Sequence, residues 1–298
     1  TCLPVLSLYG EHRKPSPGSL AGLDALVFDI QDIGCRFYTY ISTMNLAMEA
    51  AAERGLSFFV LDRINPIGGD IVDGPSWIRT RSFTATHPIS IQHGMTVGEL
   101  ALLFRAEQAL DLDLTIVPVT HWARSHRWDE TTLPWVNPSP NMRSLTAAML
   151  YPGIGLLEFM ELSVGRGTET PFEWIGAPYV EREELLAYLQ SLPLPGVSLE
   201  PASFTPEASK FVDTLCHGVR FEITNRDTFR PLDLGIAIAH YLCRHHSEEV
   251  HPQKLETLLV HPTATALQSG APLPSIRPDW KGSLQQFRDR RMRFLLYD

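Results

Sequence analysis

An α/β fold, with a mostly parallel sheet domain followed by a smaller C-terminal α/β domain, is what the sequence predicts. In the first half, short continuous apolar segments alternate with amphipathic ones, as they do when strands lie buried in a parallel sheet between helices. A proline-studded segment, 128–152, then interrupts the alternation, and beyond it strands and helices follow a different rhythm. The 298 residues suffice for two units with cores of their own.

The elements follow in order. LDALVFD (23–29) reads as a buried strand, Tyr38 to Arg54 as a helix stopped by Gly55, and SFFVLD (57–62) as a second strand, which together make a βαβ unit. Thr96 opens a second helix reaching about Leu110; Thr96 and Glu99 have the spacing of a capping box, which gives Glu99 a structural role. DLTIVPV (113–119) is a third strand of the same kind, and the three imply a sheet covered on both faces. After the proline-rich boundary come a strand near 154–158, a helix at 181–191, a strand at 218–224 and helices near 232–245 and 283–296. The predicted units are 1–152 and 153–298.

Composition excludes several classes. A formal charge of −9, from 25 Lys and Arg against 34 Asp and Glu, repels phosphate backbones, so nucleic acid is not an expected partner. No apolar run approaches the roughly 20 residues that cross a bilayer, and no leader of signal-peptide type opens the sequence. Cys2, Cys35, Cys216 and Cys243 are scattered without metal-ligand spacing, so neither a metal site nor a disulfide framework is expected. No Gly-x-Gly-x-x-Gly follows the first strand and no Walker loop occurs, so no nucleotide cofactor is implied.

Asp29 and Asp62 fall at the carboxyl ends of the first two strands, where open α/β sheets bind ligands. Asp29, Asp32, Arg36, Tyr38, Asp62, Arg63 and Asn65 therefore converge on one mouth, unless the two acids only cap turns or pair with Arg36 and Arg63. His93 precedes the second helix and faces the same region. The stiff run Asn137-Pro138-Ser139-Pro140-Asn141 offers amides and a hydroxyl at low entropic cost, although Asn137 and Asn141 also suit turns. A second cluster lies in LLEFMELSVGRGTETPFE (156–173): Glu158 at the end of an expected strand, and a Gly165-Arg166-Gly167-Thr168 turn resembling an anion clamp. Its alternative is a tight loop in which Arg166 pairs with Glu161 or Glu169, while Glu173 reads as a helix-start residue. This inventory of acids, amides, hydroxyls and aromatics suits a bound sugar, and paired carboxylates suit glycoside hydrolysis.

Five strings, FDIQDIGCRFYTYISTM (28–44), VLDRINPIGGDIVDGP (60–75), PISIQHGMTVGELA (88–101), LPWVNPSPNM (133–142) and SVGRGTETPFEWIGAP (163–178), resemble the signature blocks of the NamZ-like exo-β-N-acetylmuramidases. The likeness continues through TLCHGVRFEITNRD (214–227) to FRDRRMRFLLYD at the end. It implies a Rossmann-like domain joined to a smaller one, an active site in the cleft between them, and removal of N-acetylmuramic acid from the non-reducing ends of peptidoglycan fragments. By the same resemblance the compartment is periplasmic or extracellular, with the cytoplasm left open. No metal or cofactor is implied; the partners are muropeptide saccharides, with no nucleic acid and no membrane insertion.

Within that frame the catalytic candidates are Asp29, Asp32 and Glu158. The substrate-binding candidates are Arg36, Tyr38, Asp62, Arg63, Asn65, His93, Asn137, Ser139, Asn141, Arg166 and Thr168. Arg166 is the preferred partner for the lactyl carboxylate of the sugar. The family also carries an upstream Pro-Glu-His-Gly motif whose glutamate it implies in catalysis, and this sequence begins after that point; the role does not transfer to Glu11. The family's Glu-Gly-Thr-Asn stands here as Glu158-Phe159-Met160-Glu161, and its Asp-Arg-Pro-Asn-Pro as Asp62-Arg63-Ile64-Asn65-Pro66. A non-catalytic muropeptide-binding protein and a serine esterase or amidase using Ser163 are the alternative readings.

Overall fold

Three parallel strands, β1 (Ala25–Phe28), β2 (Ser57–Leu61) and β3 (Leu114–Val117), pair in that order in a computed structural model that describes residues 3–10, 12–76 and 80–298. Cys2 and Glu11 lie outside the described residues. The register sets Phe28 opposite Val60 and Val60 opposite Ile116, so alternate side chains build one apolar face. Helices α1 (Tyr40–Arg54) and α2 (Val97–Glu107) cover that face with Ile41, Met44, Met48, Leu100, Leu103 and Phe104.

Cover on both faces, expected from the sequence, is met on one: Val27, Leu61 and Val117 point away and are exposed. The reason is chirality. Strands that step in one direction through right-handed crossovers place their connecting helices on the same side of the sheet. The local signals act as read. Gly55 caps α1 in the left-handed region at φ 64°, and Thr96 and Glu99 form the reciprocal capping box of α2.

Beyond the boundary the strand expected at 154–158 is absent. Helix α3 (Leu145–Ile154) runs into a 3-10 turn, Gly155–Phe159, that carries Glu158. The run from Ile154 to Leu157 imitates a strand because the end of α3 and the turn after it are buried on almost all sides, where helical periodicity disappears. A second, antiparallel sheet has the order β4 (Trp174–Ala177), β6 (Cys216–Ile223), β5 (Val197–Phe204). Helix α4 (Arg182–Gln190) packs on β5 and β6, and α5 (Pro231–His245) packs on α3. Glu173, read as a helix start, instead precedes β4, and its Oε1 accepts a 2.8 Å hydrogen bond from Ser144 Oγ, the N-cap of α3.

The α3–α5 crossing brings two backbones together at glycines. A Cβ on Gly235 would stand 2.3 Å from the Gly153 oxygen, and one on Gly153 1.8 Å from the Pro231 oxygen. Gly235→Ala is therefore expected to cost about 1–3 kcal/mol or more through overpacking, read as a lowered melting temperature. An unchanged melting point would mean the helices separate freely at this crossing.

The C-terminal helix Leu273–Arg291 starts earlier in the chain than predicted and returns to the first sheet. Phe287 enters the core beneath β1–β3, Arg290 Nη2 lies 2.6 Å from Glu107 Oε2, and Tyr297 Oη donates to Asp62 Oδ2 at 2.5 Å. Burial raises the Glu107 carboxyl, but hydrogen bonds from His87 and Arg290 outweigh it and hold the group down at about 2. The two halves are thus joined by polar contacts as well as by the chain crossing at 144–155. Among the described residues, Cys35, Cys216 and Cys243 are buried and free, and no helix is long and apolar enough to cross a membrane.

Candidate active site

A cavity of about 650 Å³ opens between the exit of β1 and the Gly-Arg-Gly turn. Ile30, Tyr38 and Tyr40 line it from the first sheet's side, Ser139 and Asn141 from the proline-rich run, and Tyr151 and Arg166 from the second half. The aromatic wall is self-bracing: Tyr38 meets Tyr40 edge-on at 5.2 Å and Tyr151 at 5.9 Å, and Tyr40 Oη donates to the Pro138 oxygen at 3.0 Å. That last bond fixes the run bearing Ser139 and Asn141 against the helix that begins at Tyr40. Burial pushes the Tyr38 phenol up, against smaller opposing pulls from Ser139 and Arg166, and burial does the same to Tyr151 with help from the Glu158 charge. Both phenols remain neutral hydrogen-bond donors.

Glu158 and Arg166 form the charged centre. Arg166 Nε donates to Glu158 Oε1, and Tyr151 Oη lies 3.4 Å from Glu158 Oε2. Arg166 rides a turn whose flanking residues, Gly165 at φ 78° and Gly167 at φ 82°, occupy the left-handed region that a side chain disfavours. The turn is fastened by Thr168, whose Oγ1 donates to the Gly165 oxygen at 2.6 Å and accepts from Trp174 Nε1 at 3.0 Å. Only Nε of Arg166 has a protein hydrogen-bond partner among the described residues, and its guanidinium lies over the Phe172 ring, 5.2 Å from the centroid. The other side of the turn opens on a separate cavity of about 800 Å³, to which Thr168 belongs.

Asp32 lies behind the aromatic wall, 4% exposed. Its Oδ2 accepts from Gly34 N at 2.7 Å and lies 3.2 Å from His93 Nε2, while Oδ1 is buried without a protein partner among the described residues. Because His93 Nδ1 accepts from Met95 N at 3.2 Å, the ring carries its proton on Nε2, toward Asp32. The Asp32 charge reaches Tyr38, whose phenol has Ser139 as its polar neighbour.

Other predicted residues serve the scaffold. Arg36 is 1% exposed and gives its terminal nitrogens to the carbonyls of Pro75, Ile89, Leu258 and Leu259 at 2.7–3.2 Å, so it ties loops from both halves and leaves no donor pair for a substrate. Burial lowers it to about 10. Asp62 accepts from Gly98 N, Thr96 Oγ1 and Tyr297 at 2.5–2.8 Å, which makes it a helix-start anchor; burial raises its carboxyl against those bonds. Asn65 is buried and bonded to Met95 O and Ile67 N, each at 3.2 Å. Asp29 and Arg63 pair with each other at 2.6 Å on the exterior, outside the cavity lining. Asn137 is exposed and likewise outside it. Ser163 is 3% exposed and its Oγ accepts from Gly165 N at 3.3 Å, with no histidine as hydrogen-bond partner among the described residues, so the geometry of an activated serine is missing.

Sequence reasoning passed over two residues at the site, Tyr151 and Lys210. Tyr151 sits in the apolar run that was read as a boundary, where an aromatic carries no polar signal. Lys210 lies on a loop between β5 and β6, and the sequence holds no periodic cue to where that loop folds back.

Two models of the exo-beta-N-acetylmuramidase NamZ match the chain in succession, the N-terminal one over residues 1–146 and the C-terminal one over 149–297. The peptidoglycan beta-N-acetylmuramidase NamZ of Bacillus subtilis (strain 168) is 44% identical over 307 aligned residues, which take in 100% of this chain and 73% of that protein. A crystal structure of a DUF1343 family protein from Bacteroides fragilis NCTC 9343 superposes with a TM-score of 0.91 at 34% identity, over 99% of this chain and 80% of its own. A second from the same organism gives 0.77 at 32%, over 95% and 78%. With both halves matched in order and one relative aligned along the whole length, the chain belongs to the NamZ exo-beta-N-acetylmuramidase family.

Proposed function

We propose that the chain is a glycoside hydrolase that removes terminal N-acetylmuramic acid from the non-reducing ends of peptidoglycan fragments. The observation that carries this reading is Glu158, which lines the smaller cavity beside the cationic turn and is engaged by Arg166 Nε and Tyr151 Oη, two side chains that line the aromatic, hydroxyl-bearing cavity. A carboxylate so placed supports a cationic sugar ring in the transition state or activates water. Tyr38 and Tyr151 offer the flat walls on which pyranose rings rest, Ser139 and Asn141 read hydroxyl and acetamido groups, and Arg166 takes the lactyl carboxylate.

Asp32, backed by His93 and facing Tyr38, is the second acid assigned to the site, and its unpartnered oxygen is the acceptor it offers. Asp29 stands apart in its pair with Arg63. The family resemblance and the matched relatives support the same substrate class, and that class supports a periplasmic or extracellular site of action, with the cytoplasm left open. Residues 1–152 and 153–298 are the two units proposed to flank the cleft.

The test is incubation with a peptidoglycan fragment bearing N-acetylmuramic acid at its non-reducing end, followed by mass spectrometry. Free N-acetylmuramic acid and a fragment one sugar shorter are expected. Internal cleavage products, or an intact fragment, would refute the assignment.

A further inference from the structure

Arg166 also lines a third, smaller cavity of about 230 Å³, in which Glu158, Lys210 and two serines stand beside the apolar Phe159, Leu162 and Val164. It is large enough for a substituent of a sugar rather than for a disaccharide. Two cations share it, and they come from different elements: Arg166 from the Gly-Arg-Gly turn and Lys210 from the loop between β5 and β6. Lys210 Nζ donates to the Met160 oxygen and stands 3.8 Å from Glu161 Oε2, which leaves donors of the ammonium directed elsewhere.

The loop that carries Lys210 is held in a costly shape. Ser209, Phe211 and Asp213 all take positive φ, at 72°, 57° and 56°, although none is glycine. Such conformations are unfavourable for residues with a side chain and persist where the surroundings impose them, commonly at ligand clamps. Here the surroundings are the catalytic turn itself: Glu207 N donates to the Gly167 oxygen at 2.9 Å, and a Cβ on Gly167 would stand 2.3 Å from Ala208 N. The glycine that shapes the Arg166 turn thus also admits the loop that delivers Lys210. Burial lowers the Lys210 ammonium, and the neighbouring acids Glu161 and Glu158 offset part of that lowering.

Resting on the proposed function, we infer that Lys210 is a specificity-determining residue that, with Arg166, forms a two-cation pocket for the lactyl carboxylate. N-acetylmuramic acid differs from N-acetylglucosamine by that lactyl ether alone, so a pocket of this size and charge, beside the carboxylate at the reacting bond, discriminates between the two sugars. Lys210 does not touch the reacting atoms and acts through binding.

The experiment compares the wild-type chain with Lys210→Gln, which keeps a donor toward Met160 O but no charge, and Lys210→Arg, which keeps the charge. Substrates are fluorogenic glycosides of N-acetylmuramic acid and N-acetylglucosamine. For Lys210→Gln, KM for the muramic glycoside is expected to rise about tenfold with kcat nearly unchanged, the glucosaminide parameters to stay put, and Lys210→Arg to recover most of the loss. An equal loss on both sugars, or an unchanged KM, overturns the inference. Calorimetric titration with free N-acetylmuramic acid and N-acetylglucosamine separates this claim from the reading it rests on. If the wild type hydrolyses neither glycoside yet prefers the acid sugar, and Lys210→Gln loses the preference, the pocket stands while the hydrolase reading falls. If the wild type shows no preference, the pocket falls. Should Lys210→Gln fail to fold, Lys210→Ala replaces it under the same criteria.

Discussion

Glu158→Gln is expected to lower the rate on a muramic acid glycoside by about 10²–10⁴-fold, the range associated with removing a carboxylate that takes part in proton transfer or charge stabilisation. Substrate binding is expected to survive, since the amide retains the shape that Arg166 and Tyr151 hold. Asp29→Asn is the matched comparison. Asp29 occupies the strand-end position that α/β sheets favour for ligands, but it is spent on an exposed pair with Arg63, and exposed pairs contribute only about 0–1 kcal/mol. Its variant is therefore expected to retain nearly full activity. Steady-state kinetics on the two variants decide the matter, and a reversed order, with Asp29→Asn dead and Glu158→Gln active, would move the chemistry to the mouth of the first sheet.

Arg166→Leu carries the second large effect. The guanidinium holds Glu158 through Nε and lines both the aromatic cavity and the smaller one beside it, so its loss removes an orienting contact and the charge proposed to bind the anion. Binding of the muramic substrate is expected to weaken by about 10- to 150-fold, the equivalent of ~1.5–3 kcal/mol. The plain N-acetylglucosamine glycoside has no carboxylate to lose, so its KM changes far less while its kcat falls with the disturbed Glu158. Equal KM effects on both glycosides would remove the carboxylate assignment and leave Arg166 as a support for Glu158 alone.

The parts of the fold that were legible in the sequence are those governed by local physics. The strands at 25–28, 57–61 and 114–117 announce themselves as short β-rich apolar runs, and the stops at Gly55 and the Thr96/Glu99 box are short-range hydrogen-bond devices. The second half was harder because burial erases periodicity. Helix α3 is apolar nearly all round and passes for part of the proline-rich connection, the turn after it passes for a strand, and β5, with Glu200 and Pro201 in its middle, passes for a loop. The return of the C-terminal helix to the first sheet depends on contacts such as Arg290 with Glu107, separated by most of the chain, and no local pattern encodes them.

The candidate site divides along the same line. Composition identified a polar, aromatic, sugar-like inventory, and the glycines around Arg166 marked a turn able to present it. Which acids and arginines face the cavity was decided by tertiary context. Arg36 and Arg166 look alike in sequence, each beside glycine-containing turns and acids, yet one is locked onto four carbonyls and the other, among the described residues, is held through Nε alone. Asp62 and Asn65 satisfy backbone groups at a helix start, an equally good use of polar side chains at strand ends.

A crystal structure of the Glu158→Gln chain with an N-acetylmuramic acid glycoside bound tests the central claim most directly. The sugar ring is expected in the cavity between Tyr38, Ser139 and Tyr151, with its glycosidic oxygen near residue 158 and its carboxylate on Arg166. Density for the sugar elsewhere, in the Thr168–Trp174 cavity on the far side of the turn or at the exposed Asp29–Arg63 pair, would contradict it.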